Sequence, residues 1–237
     1  MFIVIKKKDL LLFSALILSL GVYALFSLLP ASVATLAPAR AGDERTIVID
    51  AGHGGEDGGA VSADGVVESG INLAVAQDLN ALLTLLGEDA VMTRTEDISV
   101  YSEGAETLRQ KKRSDLENRV ALVNSTPNAV LLSIHQNSLP KSTRTHGAQA
   151  FFGGVAGSEE LAQSVQTAFN AAINDAPKEA KRISDDVFLM KNVTVPAVLV
   201  ECGFLSNREE TAKLQQPDYQ MKLAVVIAAG FLNTQEK

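Results

Sequence analysis

The chain of 237 residues has a single cysteine, only three histidines and no tryptophan. With Cys202 alone there can be no internal disulfide, and burial is the default reason for its presence. There is no low-complexity tract and no internal repeat. A composition of 46% hydrophobic and 21% charged residues belongs to a folded body rather than a disordered one. Positive charge is also scarce. The chain has 21 basic and 28 acidic residues; Lys6, Lys7, Lys8, Arg40 and Asp9 precede residue 43, which leaves 17 basic against 27 acidic beyond it, a net of −10. So acidic a domain is a poor binder of nucleic acid, or of an anionic membrane through charge. Its length suits one compact domain with a sizeable core and is too short for two large ones.

The first thirty residues are a different material. Three lysines, Lys6 to Lys8, precede a run from Leu10 to Leu29 with no charged residue. Such a run can cross a hydrocarbon core as one helix of about 20 residues, with the lysines kept inside and the rest of the chain outside. A cleaved signal peptide is the competing reading, because Ala39, Arg40 and Ala41 have the small-x-small form of a cleavage site. Signal h-regions run roughly 7–15 residues, and this run is longer, which favours an uncleaved anchor. Residues 31–42, rich in Ala and Pro, read as a tether. The expected organisation is an anchor or signal over 1–30, a tether over 31–42 and an extracytoplasmic domain over 43–237.

Within that domain, strands and helices alternate. Residues 46–50 (TIVID) form a β-branched run that stops at a glycine-rich segment. Ile71, Val75, Leu79, Leu82, Leu83 and Leu86 recur at helical spacing and Gly87 follows as a stop. Further strands are expected over 90–93, 129–134, 147–152, 187–190 and 197–200. Helices are expected to end at Asn124 after starting between Leu108 and Asp115, to carry Leu161, Val165, Phe169 and Ile173 on one face, and to close the chain from Tyr219 to Leu232. Residues 97–115 read as a polar surface loop. The pattern predicts an α/β fold, a mainly parallel sheet with helices on both faces. The working site of such a sheet lies beyond the carboxyl ends of its strands.

That rule sorts the ionisable residues. His53 comes shortly after the first strand, His135 directly after the 129–134 strand and Glu201 directly after the 197–200 strand. Glu68 precedes the first long helix, whose N-terminus emerges on the same rim. Two imidazoles and a carboxylate are a common protein shell for a catalytic zinc, which keeps a further position for water. His53, Glu68 and His135 are the expected ligands of one ion, and Glu201 is a carboxylate outside the shell.

Other readings stand beside this one. A histidine near a strand end is often only a hydrogen-bonded structural residue, and Glu68 could serve as a first-turn carboxylate favoured by the helix dipole. The glycines around His53 lack the lysine and Ser/Thr of a P-loop, so a phosphate cradle is set aside. Cys202 could be a thiolate nucleophile assisted by His53 or His146. Alternation along a strand, however, sends Glu201 and Cys202 to opposite faces, and His146 sits in a polar loop.

Four blocks carry a resemblance: residues 46–59 (TIVIDAGHGGEDGG), Glu68, residues 133–138 (SIHQNS) and residues 196–207 (PAVLVECGFLSN). Together, in order from about Thr46 to Leu232, they resemble the zinc N-acetylmuramoyl-L-alanine amidases of the amidase_3 family. The short domain behind a hydrophobic segment is most similar to the germination-specific members. The resemblance implies a six-stranded sheet, zinc on His53, Glu68 and His135, and catalysis by Glu201. It implies peptidoglycan as substrate, cut between N-acetylmuramic acid and L-alanine, with a role in spore cortex processing; a protein activator is compatible with it. Arg94 and Arg119 also match recurrent positions and are read as structural or, at most, substrate-orienting. A zinc peptidase acting within the stem peptide, and a non-catalytic wall-binding protein, are the alternatives.

Overall fold

The computed structural model describes residues 45–234. The expected anchor and tether lie outside the described residues. Six strands, β1 (Thr46–Ala51), β2 (Asp89–Met92), β3 (Ala129–Asn137), β4 (Gln149–Phe152), β5 (Lys181–Arg182) and β6 (Ala197–Phe204), make one sheet in the order β2-β1-β3-β6-β4-β5. β1 is parallel to β2 and β3, and β3 to β6. β4 runs antiparallel to β6 and carries β5 in parallel. The fold is therefore the α/β arrangement that the alternating pattern predicts, with one antiparallel junction near an edge.

Among the described residues six helices cover it: α1 (Glu68–Leu85), α2 (Leu108–Ser125), α3 (Ser158–Ala172), α4 (Phe188–Asn192), α5 (Arg208–Leu214) and α6 (Pro217–Asn233). Each central strand is buried on both sides because its alternate residues enter different layers. Ile47, Ile49, Val130, Leu132, Ile134, Val198 and Val200 pack with Val75 and Leu79 of α1, Val165 and Phe169 of α3, and Ile227 and Phe231 of α6. Val48, Leu131 and Leu199 point the other way, onto Val123 of α2 and Leu189 and Met190 of α4. Among the described residues no helix is long and apolar enough to cross a membrane.

Three local expectations need correction or addition. Residues 187–190 are not a strand: Phe188 begins the short helix α4, which buries Leu189 and Met190 in the smaller layer. Periodicity cannot separate helix from strand in so short an apolar run. The polar stretch is a loop only as far as Thr107, because the Thr107 hydroxyl accepts from the Gln110 amide while the Gln110 side chain accepts from the Thr107 amide. That reciprocal pair starts α2 at Leu108. β5 and α5 had no counterpart in the sequence reading. β5 is two exposed edge residues, and α5 is one short helix begun by the Asn207 side chain on the Glu210 amide.

Candidate active site

β1 ends at Ala51, and the chain turns sharply through Gly52 to bring His53 over the carboxyl rim of the sheet. His53 takes a positive φ of 62°, a conformation disfavoured for a residue with a Cβ. Two buried arginines hold it there. Arg119 donates to the His53 carbonyl at 2.8 Å and to the Ala51 carbonyl at 2.8 Å. Arg94 donates to Ala51, Gly52 and Ser69 carbonyls at 2.8, 3.1 and 2.9 Å. Arg119 is itself fixed by Asp50 at 2.6 Å and Asp115 at 2.7 Å. Both guanidinium groups thus serve the loop's backbone from beneath.

Glu68, first residue of α1, is almost fully buried. Its Oε2 accepts from the Ala60 amide at 2.8 Å, and its Oε1 accepts from Asn72 Nδ2 at 3.0 Å and the Gln136 amide at 3.1 Å. The same Oε1 lies 3.0 Å from His135 Nδ1 and 3.4 Å from His53 Nε2. Burial alone would raise the Glu68 pKa, but the His135 hydrogen bond, the charges of His135 and His53 and the Ala60 amide hold it down at about 2. Glycines make this crowding possible. A Cβ on Gly52 would land inside the His135 ring, and one on Gly59 would meet Glu68 and His53.

His135 and Glu201 do not follow their strands, as the sequence reading had it; both lie within them. β3 and β6 run on because they continue to pair beyond the expected ends, with His135 opposite Glu201 and, after an irregularity, Asn137 opposite Phe204. The register places both side chains on the face covered by α2 and α4. Glu201 Oε2 is shielded from solvent and has no hydrogen-bond partner. Its pKa is pushed up to about 7 by burial and the nearby Glu68 charge, against the opposing pull of His135.

One donor atom from each of His53, Glu68 and His135 lies within 4.8 Å of the others, and the three side chains could hold a metal ion. The imidazoles stand edge to face with centroids 5.0 Å apart. Two nitrogens and a carboxylate oxygen, beside a second carboxylate with an unpartnered buried oxygen, fit a divalent cation chemically.

The other candidates fall elsewhere. Cys202 is buried in the opposite layer with α1, α3 and α6, and burial pushes its thiol pKa up, away from thiolate. His146 is exposed, with Nδ1 2.9 Å from the Arg144 carbonyl and Nε2 3.3 Å from Asp175. Asp57, Asn72 and Gln136 were not singled out from sequence. Asp57 sits in the same glycine-rich block as His53. Asn72 is one helical turn beyond Glu68, a spacing that could have marked it.

Comparison with known proteins places the chain in a family. Residues 47–233 match the Amidase_3 family, N-acetylmuramoyl-L-alanine amidase. The chain is 38% identical over 189 residues to the germination-specific N-acetylmuramoyl-L-alanine amidase of Bacillus subtilis (strain 168), covering 79% of this chain and 78% of that one. It superposes on the CwlD amidase from Clostridioides difficile, solved in complex with the GerS lipoprotein, with a TM-score of 0.76, 36% identity and coverage of 81% and 98%. An N-acetylmuramoyl-L-alanine amidase from Clostridium difficile 630 gives 0.72 and 28%, with 83% and 99% covered. A match that runs from the second residue of β1 to the end of α6 leaves no element of the described domain outside it, and the chain belongs to the Amidase_3 family of peptidoglycan-hydrolysing N-acetylmuramoyl-L-alanine amidases.

Proposed function

We propose that this amidase is a zinc enzyme in which His53, Glu68 and His135 hold the ion and Glu201 moves the proton. The observation that carries the reading is the meeting of three ligand atoms within 4.8 Å beside the unpartnered oxygen of Glu201. An ion held there would supply Lewis acidity, polarising the substrate carbonyl and lowering the pKa of water toward about 7.

The chain's own groups do the rest. Glu201, whose pKa burial raises to about 7, accepts a proton from the attacking water as the water oxygen bonds to the lactyl carbonyl carbon. It then gives the proton to the L-alanine nitrogen as the carbon–nitrogen bond breaks, so the products are a free lactyl carboxylate and a peptide amine. The Arg94 and Arg119 contacts hold the loop that presents His53, which keeps the site preorganised.

Three broader proposals follow from similarity and sequence. The likeness to a germination-specific relative supports a role in spore cortex processing. The apolar run over residues 10–29 supports an extracytoplasmic domain tethered to the membrane, and the relative solved with a lipoprotein supports a protein partner of that class. The test of the chemistry is metal content together with mass spectrometry of peptidoglycan digested by the full chain. About one zinc per chain and free lactyl groups are expected. Cuts within the stem peptide, with lactyl groups still substituted, would instead make it a peptidase.

A further inference from the structure

Two acids follow His53, and α2 offers each a lysine. Glu56 pairs with Lys111 at 2.7 Å, and Asp57 pairs with Lys112 at 3.1 Å. Both pairs tie the same loop to the same helix, but the acids differ in one respect. Asp57 Oδ2 lies 3.0 Å from His53 Nδ1, whereas no contact joins Glu56 to a histidine among the described residues.

The loop folds so as to make that contact. Gly54 and Asp57 exchange backbone hydrogen bonds, at 2.8 Å from the Gly54 amide and 3.1 Å from the Asp57 amide. This tight turn brings the Asp57 side chain back onto the imidazole it follows. An ionised carboxylate can only accept, so the shared proton belongs to Nδ1 and the lone pair is left on Nε2. Nε2 is the nitrogen that lies 3.4 Å from Glu68 Oε1, towards the ligand cluster. His53 needs such support, since a positive φ at a residue with a Cβ is disfavoured and persists only where its surroundings over-determine it.

We propose that Asp57 is a positioning residue for the metal centre: it fixes the tautomer and ring orientation of His53, with Lys112 bracketing the carboxylate from outside. The proposal rests on the reading of His53 as a ligand. Glu56 is the internal control, because it anchors the loop in the same manner without touching the ring.

The experiment measures zinc affinity of the full chain by competition with a chromophoric chelator, and the His53 tautomer by long-range proton–nitrogen NMR of the zinc-free protein. Asp57→Ala is expected to weaken zinc binding by about 10–100-fold and to shift the His53 nitrogens away from the Nδ1–H form. Asp57→Asn, whose amide oxygen can still accept the Nδ1 proton, is expected to fall between Asp57→Ala and the parent. Glu56→Ala is expected to bind zinc as the parent does. Unchanged affinity in Asp57→Ala overturns the proposal, as does an equal loss in Glu56→Ala, which would assign the effect to loop anchoring. If Asp57→Ala fails to fold, the near-isosteric Asp57→Asn decides through its affinity and its nitrogen shifts. His53→Ala separates the two layers of the argument: zinc retained there removes His53 from the ligand set, whereas zinc lost there and kept in Asp57→Ala removes only the positioning role.

Discussion

The two faces of the sheet are built from the same strands and do different work. On the face covered by α1, α3 and α6 the strand residues stay apolar almost to the rim, from Val130 through Ile134 on β3, where Gln136 follows and bonds to Asn72, and from Val198 through Cys202 on β6. On the face covered by α2 and α4 they change character along the strand. Val48 gives way to Asp50, Leu131 to Ser133 and His135, and Leu199 to Glu201. The lower half of that face is core, and its upper half is a buried polar network ending in the site. A period of two lets one strand carry stability on one side and chemistry on the other.

The largest effect should come from removing chemistry while keeping structure. Glu201→Gln is expected to lower kcat by about 10²–10⁴-fold with zinc still bound, since only the proton carrier is lost. His53→Ala should lose both zinc and turnover, so metal content measured beside activity distinguishes the variants. A Glu201→Gln enzyme with near-parental kcat would remove Glu201 from the proton path.

Next come substitutions that set the faces against each other. Arg119→Met strands Asp50 and Asp115 as buried charges without their cation, at a cost of about 3–5 kcal/mol. It also frees the His53 carbonyl, so zinc affinity should fall with stability. Leu79→Ala, in the apolar layer, should cost about 2–5 kcal/mol. There, activity per folded molecule should be unchanged. Thermal melts with chelator titrations on both variants test the division, and equal loss of zinc affinity in Leu79→Ala would dissolve it.

Acid should expose the polar half of the working face. Burial would raise the Asp50 pKa, but the charges of Arg119 and His135 and the Ser133 and Arg119 hydrogen bonds bring it below the ordinary 3.8. A carboxylate with a depressed folded pKa adds stability that is complete above its unfolded value and is lost as pH falls through the folded one. Melting temperature measured in chelator should therefore drop as pH goes below 3.8 in the parent. The drop should be smaller in Asp50→Asn, which has no such proton to take up.

Much of this was legible in sequence because the two faces follow different rules. Ile71, Val75, Leu79 and Leu83 declare α1 through spacing, and residues 46–50 declare β1 through β-branching. Four motif blocks mark His53, Glu68, His135 and Glu201 as candidate site residues. What escaped depended on pairing, turns and packing that spacing and motifs do not carry. The strand ends past Ile134 and Val200 are set by β3 pairing with β6, which joins residues more than 60 positions apart. The role of Asp57 depends on a turn that folds it back on His53, and α4 on packing in the smaller layer.

The smallest expected effect concerns Cys202, which lies directly beside Glu201 in the chain and yet belongs to the other face. Alternation separates the two, and the structure buries the sulfur with the apolar layer, where the thiol is kept protonated by its surroundings. Cys202→Ser exchanges a weakly polar group for a hydroxyl in that layer and should cost about 1–3 kcal/mol. Because the Glu201 side chain projects from the opposite side of the strand, kcat measured below the melting transition should match the parent. A large loss of kcat in folded, zinc-loaded Cys202→Ser protein would return the thiol to the mechanism, and with it the idea that both faces of β6 take part.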